Sequence, residues 1–99
     1  MLYRHGDVLI GSIDTLPATA KPKPGTILLH GEFTGHSHRI EDSASAQLFE
    51  HRDELFLAVL HEAAVIVHQE HQPITLPRGF YRIWQQREYT PGAIRNVAD

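Results

Sequence analysis

The 99-residue chain has no cysteine, one methionine and one tryptophan. Without cysteine there is no disulfide, no thiolate metal site, no iron–sulfur cluster and no cysteine nucleophile. A reducing compartment such as the cytoplasm fits that composition. No apolar run approaches the ~20 residues of a membrane-spanning helix. The start, Met1 to Ile13, carries Arg4, His5 and Asp7 where a secretory signal has its apolar stretch, so neither export nor a membrane is expected. An excess of positive charge is also missing. Nine Lys and Arg stand against twelve Asp and Glu, a formal charge of −3, which argues against nucleic acid as a partner. There is no Walker loop, no Gly-x-Ser-x-Gly elbow and no internal repeat. The length excludes a TIM barrel or a full dinucleotide-binding fold and suits one domain, residues 1–99.

What is present in excess is histidine, eight residues in all. Protonating every one would move the formal charge from −3 to +5 (9 + 8 − 12). Imidazole titrates near pH ~6.5, so the composition points to imidazole chemistry or to pH sensitivity. It names no reaction.

Turn residues and short apolar runs alternate along the chain. Asp7–Ile13 follows the turn signal His5-Gly6-Asp7, and Thr26–His30 precedes a Gly31–Gly35 turn. His36–Glu41 resumes as an extended segment. Gln47–Glu50 and Leu55–Leu60 flank a polar hairpin connection, His51-Arg-Asp-Glu54. Ala63–His68 ends in the β-branched run Val65, Ile66, Val67; Gln69–Pro73 and Pro77-Arg-Gly79 read as turns. Phe80–Tyr89 reads as an edge or half-exposed strand. Leu16–Gly25, with Pro17, Pro22 and Pro24, reads as an ordered excursion between strands. Ser45–Val67 lacks Gly and Pro and has room for a helix, but Arg52, Asp53 and Glu54 interrupt any apolar stripe, so strands are favoured. The expectation is a mainly β fold, a small antiparallel barrel or sandwich. Ile94 and Val97, at i and i+3, are spaced for one short C-terminal helical turn.

The most chemical stretch is Gly35-His36-Ser37-His38-Arg39-Ile40-Glu41. On a strand, residues i and i+2 face one side about 6.6 Å apart, and two imidazoles can converge from there on one ion. Further ligands are expected from His68 and His71, in His-Gln-Glu-His, and from Glu41. Nitrogen and carboxylate donors suit Zn, Fe, Ni or Mn. Glu70 is a candidate base or substrate contact, and Arg82 a clamp for an anionic small molecule. His5, His30, His51 and His61 read as packing or hydrogen-bonding residues. Ser37, between two histidines, points away from both on a strand.

Residues 78 to 95 carry Arg78, Arg82, Arg87 and Arg95 among Tyr81, Trp84 and Tyr89. Tyr, Trp and Arg are enriched at interfaces, so Tyr81, Trp84 and Arg87 are candidate contacts of a homo-oligomer or a non-catalytic assembly module.

The order His-x-His then Pro-x-Gly is similar to the cupin superfamily of small metal-binding β-barrels. His36 and His38 match the first motif's pair, Glu41 falls one residue before its carboxylate, and Pro77-Arg78-Gly79 matches the second motif's turn. The histidine which that resemblance implies three residues after Gly79 is Arg82 here, and a permanently protonated guanidinium does not ligate metal. His5-Gly-Asp-Val8, Thr34-Gly-His-Ser-His-Arg39, Leu76-Pro-Arg-Gly-Phe-Tyr-Arg82 and Gln86-Arg-Glu-Tyr89 together resemble a group of small bacterial and phage-associated proteins of unknown function. That resemblance implies no reaction.

Overall fold

The computed structural model describes residues 1–30 and 36–86. They form eight strands and no helix: β1 (Leu2–His5), β2 (Val8–Ile13), β3 (Lys21–Lys23), β4 (Ile27–His30), β5 (Ser37–Ile40), β6 (Ala46–His51), β7 (Glu54–His68) and β8 (His71–Gln85). The strands join in the order β1-β2-β8-β7-β5-β4, with β6 beside β7 and β3 beside β6. Every pairing is antiparallel, and the sheet curls into a half-barrel. The mainly β reading therefore holds, and within residues 45–67 the chain forms β6 and most of β7, with no helix. The expected C-terminal turn and the Gly31–Gly35 turn lie outside the described residues.

Local chemistry accounts for the hairpins. β1 and β2 are joined by Gly6-Asp7, and Gly6 takes φ 65°. A positive φ on the first of two loop residues is the place where a II′ turn uses glycine. β6 and β7 are joined by Arg52-Asp53, both with positive φ (52° and 67°), the I′ pattern. Proline in β3 is tolerated because that strand pairs with β6 alone, an edge where a missing N–H costs no ladder bond.

One expectation changes and another narrows. Pro77-Arg-Gly79 is not a turn, and Phe80 onward is the half-exposed strand of the two alternatives, not an edge strand. β8 runs unbroken from His71 to Gln85, and its second half lies between β2 and β7. The reason is a register break. Val59 pairs with Gly79 and Ala63 with Pro77, so Leu60, His61 and Glu62 face Arg78 alone. Such an insertion bends a ribbon instead of ending it. Pro77 has no N–H to lose there, and Gly79 adopts φ 150°, open to glycine only. The displaced amides of Leu60 and His61 both donate to the Ser45 carbonyl, at 2.8 and 3.2 Å.

That bend closes the structure. Fourteen extended residues would separate Gln72 from Gln86 by about 46 Å. Yet the Gln72 carbonyl accepts from His5 Nε2 at 2.9 Å, and the Gln86 amide donates to the Asp7 carbonyl at 2.8 Å. Both ends of β8 thus touch the same β1–β2 tip. Inside the curl, alternating residues Val8, Ile10, Leu48, Leu57, Ile66 and Leu76 are fully buried. Each contributes about 1.5–3 kcal/mol relative to exposure.

Candidate metal centre

Four chain segments meet at the mouth of the half-barrel. β5 pairs with β7 through Arg39↔Val67 and Ile40↔Ile66. One step further along this register sets His38 opposite His68. The β7–β8 hairpin pairs His68 with His71 across the two-residue loop Gln69-Glu70. The β1–β2 tip then delivers His5, Gly6 and Asp7. Ring centroids of His38 and His68 lie 4.3 Å apart, His68 and His71 4.6 Å, His38 and His71 5.5 Å, and His5 and His38 4.9 Å. One nitrogen from each of His38, His68 and His71 can be chosen so that all three lie within 4.8 Å of one another. Three nitrogens on a tetrahedral ion, with bonds near ~2.1 Å, stand about 3.4 Å apart. Small rotations of the rings would therefore gather them on one cation.

Hydrogen bonds orient the deepest rings. A carbonyl only accepts, so His5 donates through Nε2 to Gln72. In a neutral His5 the other nitrogen then carries a lone pair. His38 Nδ1 lies 2.9 Å from His5 Nδ1 and must be the donor. His38 Nε2 is left with its lone pair exposed to the site. A ligating histidine whose second nitrogen is anchored by a hydrogen bond is the usual arrangement in metal sites. At His68, Nδ1 accepts from the Glu70 amide at 2.9 Å, so the neutral ring carries its proton on Nε2, and ligation requires that proton to leave or the Glu70 hydrogen bond to give way.

Burial favours the neutral, ligating form of these rings. His5 and His38 are only 2% and 4% exposed. Desolvation lowers the His38 pKa to about 4, helped by the charges His68 and His5 would carry and opposed by Asp7. Desolvation also lowers His5, against the pull of the Gln72 hydrogen bond, and lowers His68, with His71 and His36 adding to the effect.

The expected His-x-His pair divides. His38 lies in β5 and enters the group, whereas His36 precedes the strand and flanks it. The His36 ring is 5.7 Å from that of His68, and its Nδ1 is 3.5 Å from Glu70 Oε2. Glu41 is exposed and, by strand alternation, on the face opposite His38, so it does not join the group. Glu70 sits in the hairpin loop at the site's rim. Ser37 is buried, its amide donating to Gln69 Oε1.

Arg82 lies away from the imidazoles. It bonds Glu54 at 3.0 Å, stacks over Trp84 at 5.1 Å and lines a cleft with Asp53, Glu54, Leu55 and Trp84. Tyr81, a candidate interface residue, is 3% exposed, packs in the core, and its hydroxyl donates to the Pro77 carbonyl at the bend. Trp84 is half-buried against Gly11, and Arg87 lies outside the described residues. The hydrogen-bonding roles expected of His5 and His51 are present, the latter to Thr19 Oγ1 at 3.0 Å.

Two members of the site were not legible as such. His5 and Asp7 belong to a segment whose sequence signals only a turn. Gly6 shows why that turn is glycine. A Cβ there would stand 2.7 Å from His71 Nε2 and 3.0 Å from His38 Cε1.

Fold and site together define a curled antiparallel β half-barrel with imidazoles gathered at its mouth. Residues 4–86 match a family described as a domain of unknown function (DUF8820), and the chain belongs to that family. No curated protein and no solved structure matches it. Among the described residues no helix is long and apolar enough to cross a membrane.

Proposed function

We propose that this chain is a metal-binding protein of the cytoplasm, holding one divalent cation through His38, His68 and His71. The observation that carries the reading is the mutual approach of three imidazole nitrogens to within 4.8 Å, one from strand β5 and two from the β7–β8 hairpin that follows it in the sequence only after β6 and β7. Burial holds His38, and to a lesser degree His68, in the neutral form that metal binding needs. An imidazole set suits Zn best, with Fe and Ni next; Mn, which favours oxygen donors, ranks last of the four. A cupin-like second motif is not required, because the β7–β8 tip supplies the histidines that Arg82 does not.

Elemental analysis of untagged protein after reloading with zinc tests this. The expected result is about one zinc per chain in the wild type and well under a tenth in His38→Ala. Less than a tenth of an equivalent in the wild type, in protein whose circular dichroism shows it folded, overturns the reading.

A further inference from the structure

Three histidines leave one position of a tetrahedral cation open, and a carboxylate stands beside His38, outside the 4.8 Å group of three nitrogens but on its border. Asp7 Oδ1 stands 3.5 Å from His38 Nε2. That is close to the ~3.4 Å that separates two ligand atoms sharing one tetrahedral zinc. The other oxygen, Asp7 Oδ2, accepts from Gln85 Nε2 at 2.8 Å. The carboxylate is thus held by one oxygen with the second aimed at the histidines, the arrangement outer hydrogen bonds give to ligating carboxylates.

The hydrogen-bond chain sharpens the point. With His5 donating to the Gln72 carbonyl and His38 donating to His5, His38 Nε2 faces Asp7 as a bare lone pair. A lone pair and a carboxylate oxygen repel each other at that distance. A cation between them turns the repulsion into two bonds. The contact is therefore unfavourable without a cation and favourable with one.

Resting on the metal reading above, we infer that Asp7 is the fourth ligand, closing a His38–His68–His71–Asp7 site whose metal clasps the β1–β2 tip to β5 and to the β7–β8 tip. A closed four-ligand set is the signature of a structural metal, whereas a site for catalysis keeps a position for water. The clasp lies where it has most to join. The β1–β2 tip bridges both ends of β8, and β1 and β5 belong to opposite ends of the curled sheet. Gln85 and His5 are positioning residues, each fixing a ligand through its far atom.

Cobalt(II), a spectroscopic stand-in for zinc, distinguishes a closed site from an open one. Azide should leave the visible spectrum of the cobalt-loaded wild type unchanged, since no water position is available. In Asp7→Asn, which preserves the loop and can still accept from Gln85, azide should shift the spectrum. Zinc affinity should fall by about 10- to 100-fold or more, and the rise in melting temperature on adding zinc should shrink accordingly. An azide shift in the wild type as large as in the variant overturns Asp7 as a ligand while leaving the three-histidine reading intact. Equal zinc affinity in the two proteins does the same. Failure of the wild type to bind cobalt or zinc sinks the underlying reading instead, so the two failures are separable.

Discussion

β7 ends in a two-residue hairpin loop at each extremity, and the two loops are written in nearly the same letters. At one end stands His51-Arg-Asp-Glu54, at the other His68-Gln-Glu-His71. Each is polar, each pairs its flanking residues across the loop, and each begins with histidine. Their fates differ. At the first, the imidazole meets Thr19 Oγ1 in a cleft lined by Lys21, Glu50, Arg52 and Asp53, with no second histidine among its lining residues. At the second, two histidines meet a third from β5 and a fourth from β1. Local sequence made both hairpins; only the second lies where the curled sheet brings its far margins together. A metal-ligand pattern gains meaning from what the fold carries to it.

Breaking the comparison at its strongest point should give the largest effect. His38→Ala is expected to lower zinc affinity by more than about 100-fold, beyond the loss of an outer partner, while His51→Ala leaves it within twofold. Isothermal titration of both variants checks this. Equal losses would erase the distinction between the two loops.

The burial of His38 should also reveal itself through pH in metal-free protein. His38 faces His5, His68, His71 and Asp7, and burial sets its folded pKa near 4 against about 6.5 unfolded. The unfolded chain therefore binds the proton first. Stability attributable to neutral His38 is intact above about pH 6.5 and is lost as pH falls toward about 4, roughly 3 kcal/mol across that window. Urea unfolding with chelator present measures it. His38→Gln should flatten most of the slope, and His51→Gln should leave it unchanged. The opposite ranking would contradict the buried, neutral assignment.

Gly6→Ala probes the tip that reaches the site. Its Cβ would collide with His71 Nε2, and the positive φ adds about 1–2 kcal/mol of backbone strain. Thermal melts should show destabilisation of at least that size, together with weakened zinc binding. A neutral substitution would mean that the tip stands clear of the rings.

The smallest expected effect sharpens the comparison from the other loop. Arg52 and Asp53 both hold positive φ without being glycine. Asp53→Gly should stabilise by up to about 1 kcal/mol, since an I′ turn favours glycine at its second position, and should leave zinc affinity unaltered. Denaturant midpoints resolve a change of this size.

Much of the fold was readable in the residues. Val65, Ile66 and Val67 placed a strand where helix was the alternative, and Gly6 and the Arg52-Asp53 pair marked true hairpins. Proline and glycine at 77 and 79 misled, because the same residues that make a turn in isolation make a bend when a continuous partner strand runs alongside. β1 passed unread, since Leu2–His5 is short and largely exposed, and its strand identity comes from pairing with β2. At the site, His38, His68 and His71 stood out by spacing. Glu41 and His36 were drawn in by the same spacing, but Glu41 falls on the other face and His36 lies just outside β5.

The sequence by itself determined the strand-and-turn alphabet, the absence of thiolate chemistry and the supply of imidazoles, because alternation, turn conformation and donor type are properties of neighbours along the chain. Tertiary structure alone decided which imidazoles share a hollow and that Asp7 faces His38. Apart from His68 and His71, neighbours across one hairpin, those contacts join residues 30 to 66 positions apart, and they rest on the register break at Leu60–Glu62, which bends a long ribbon until its ends meet at one hairpin tip.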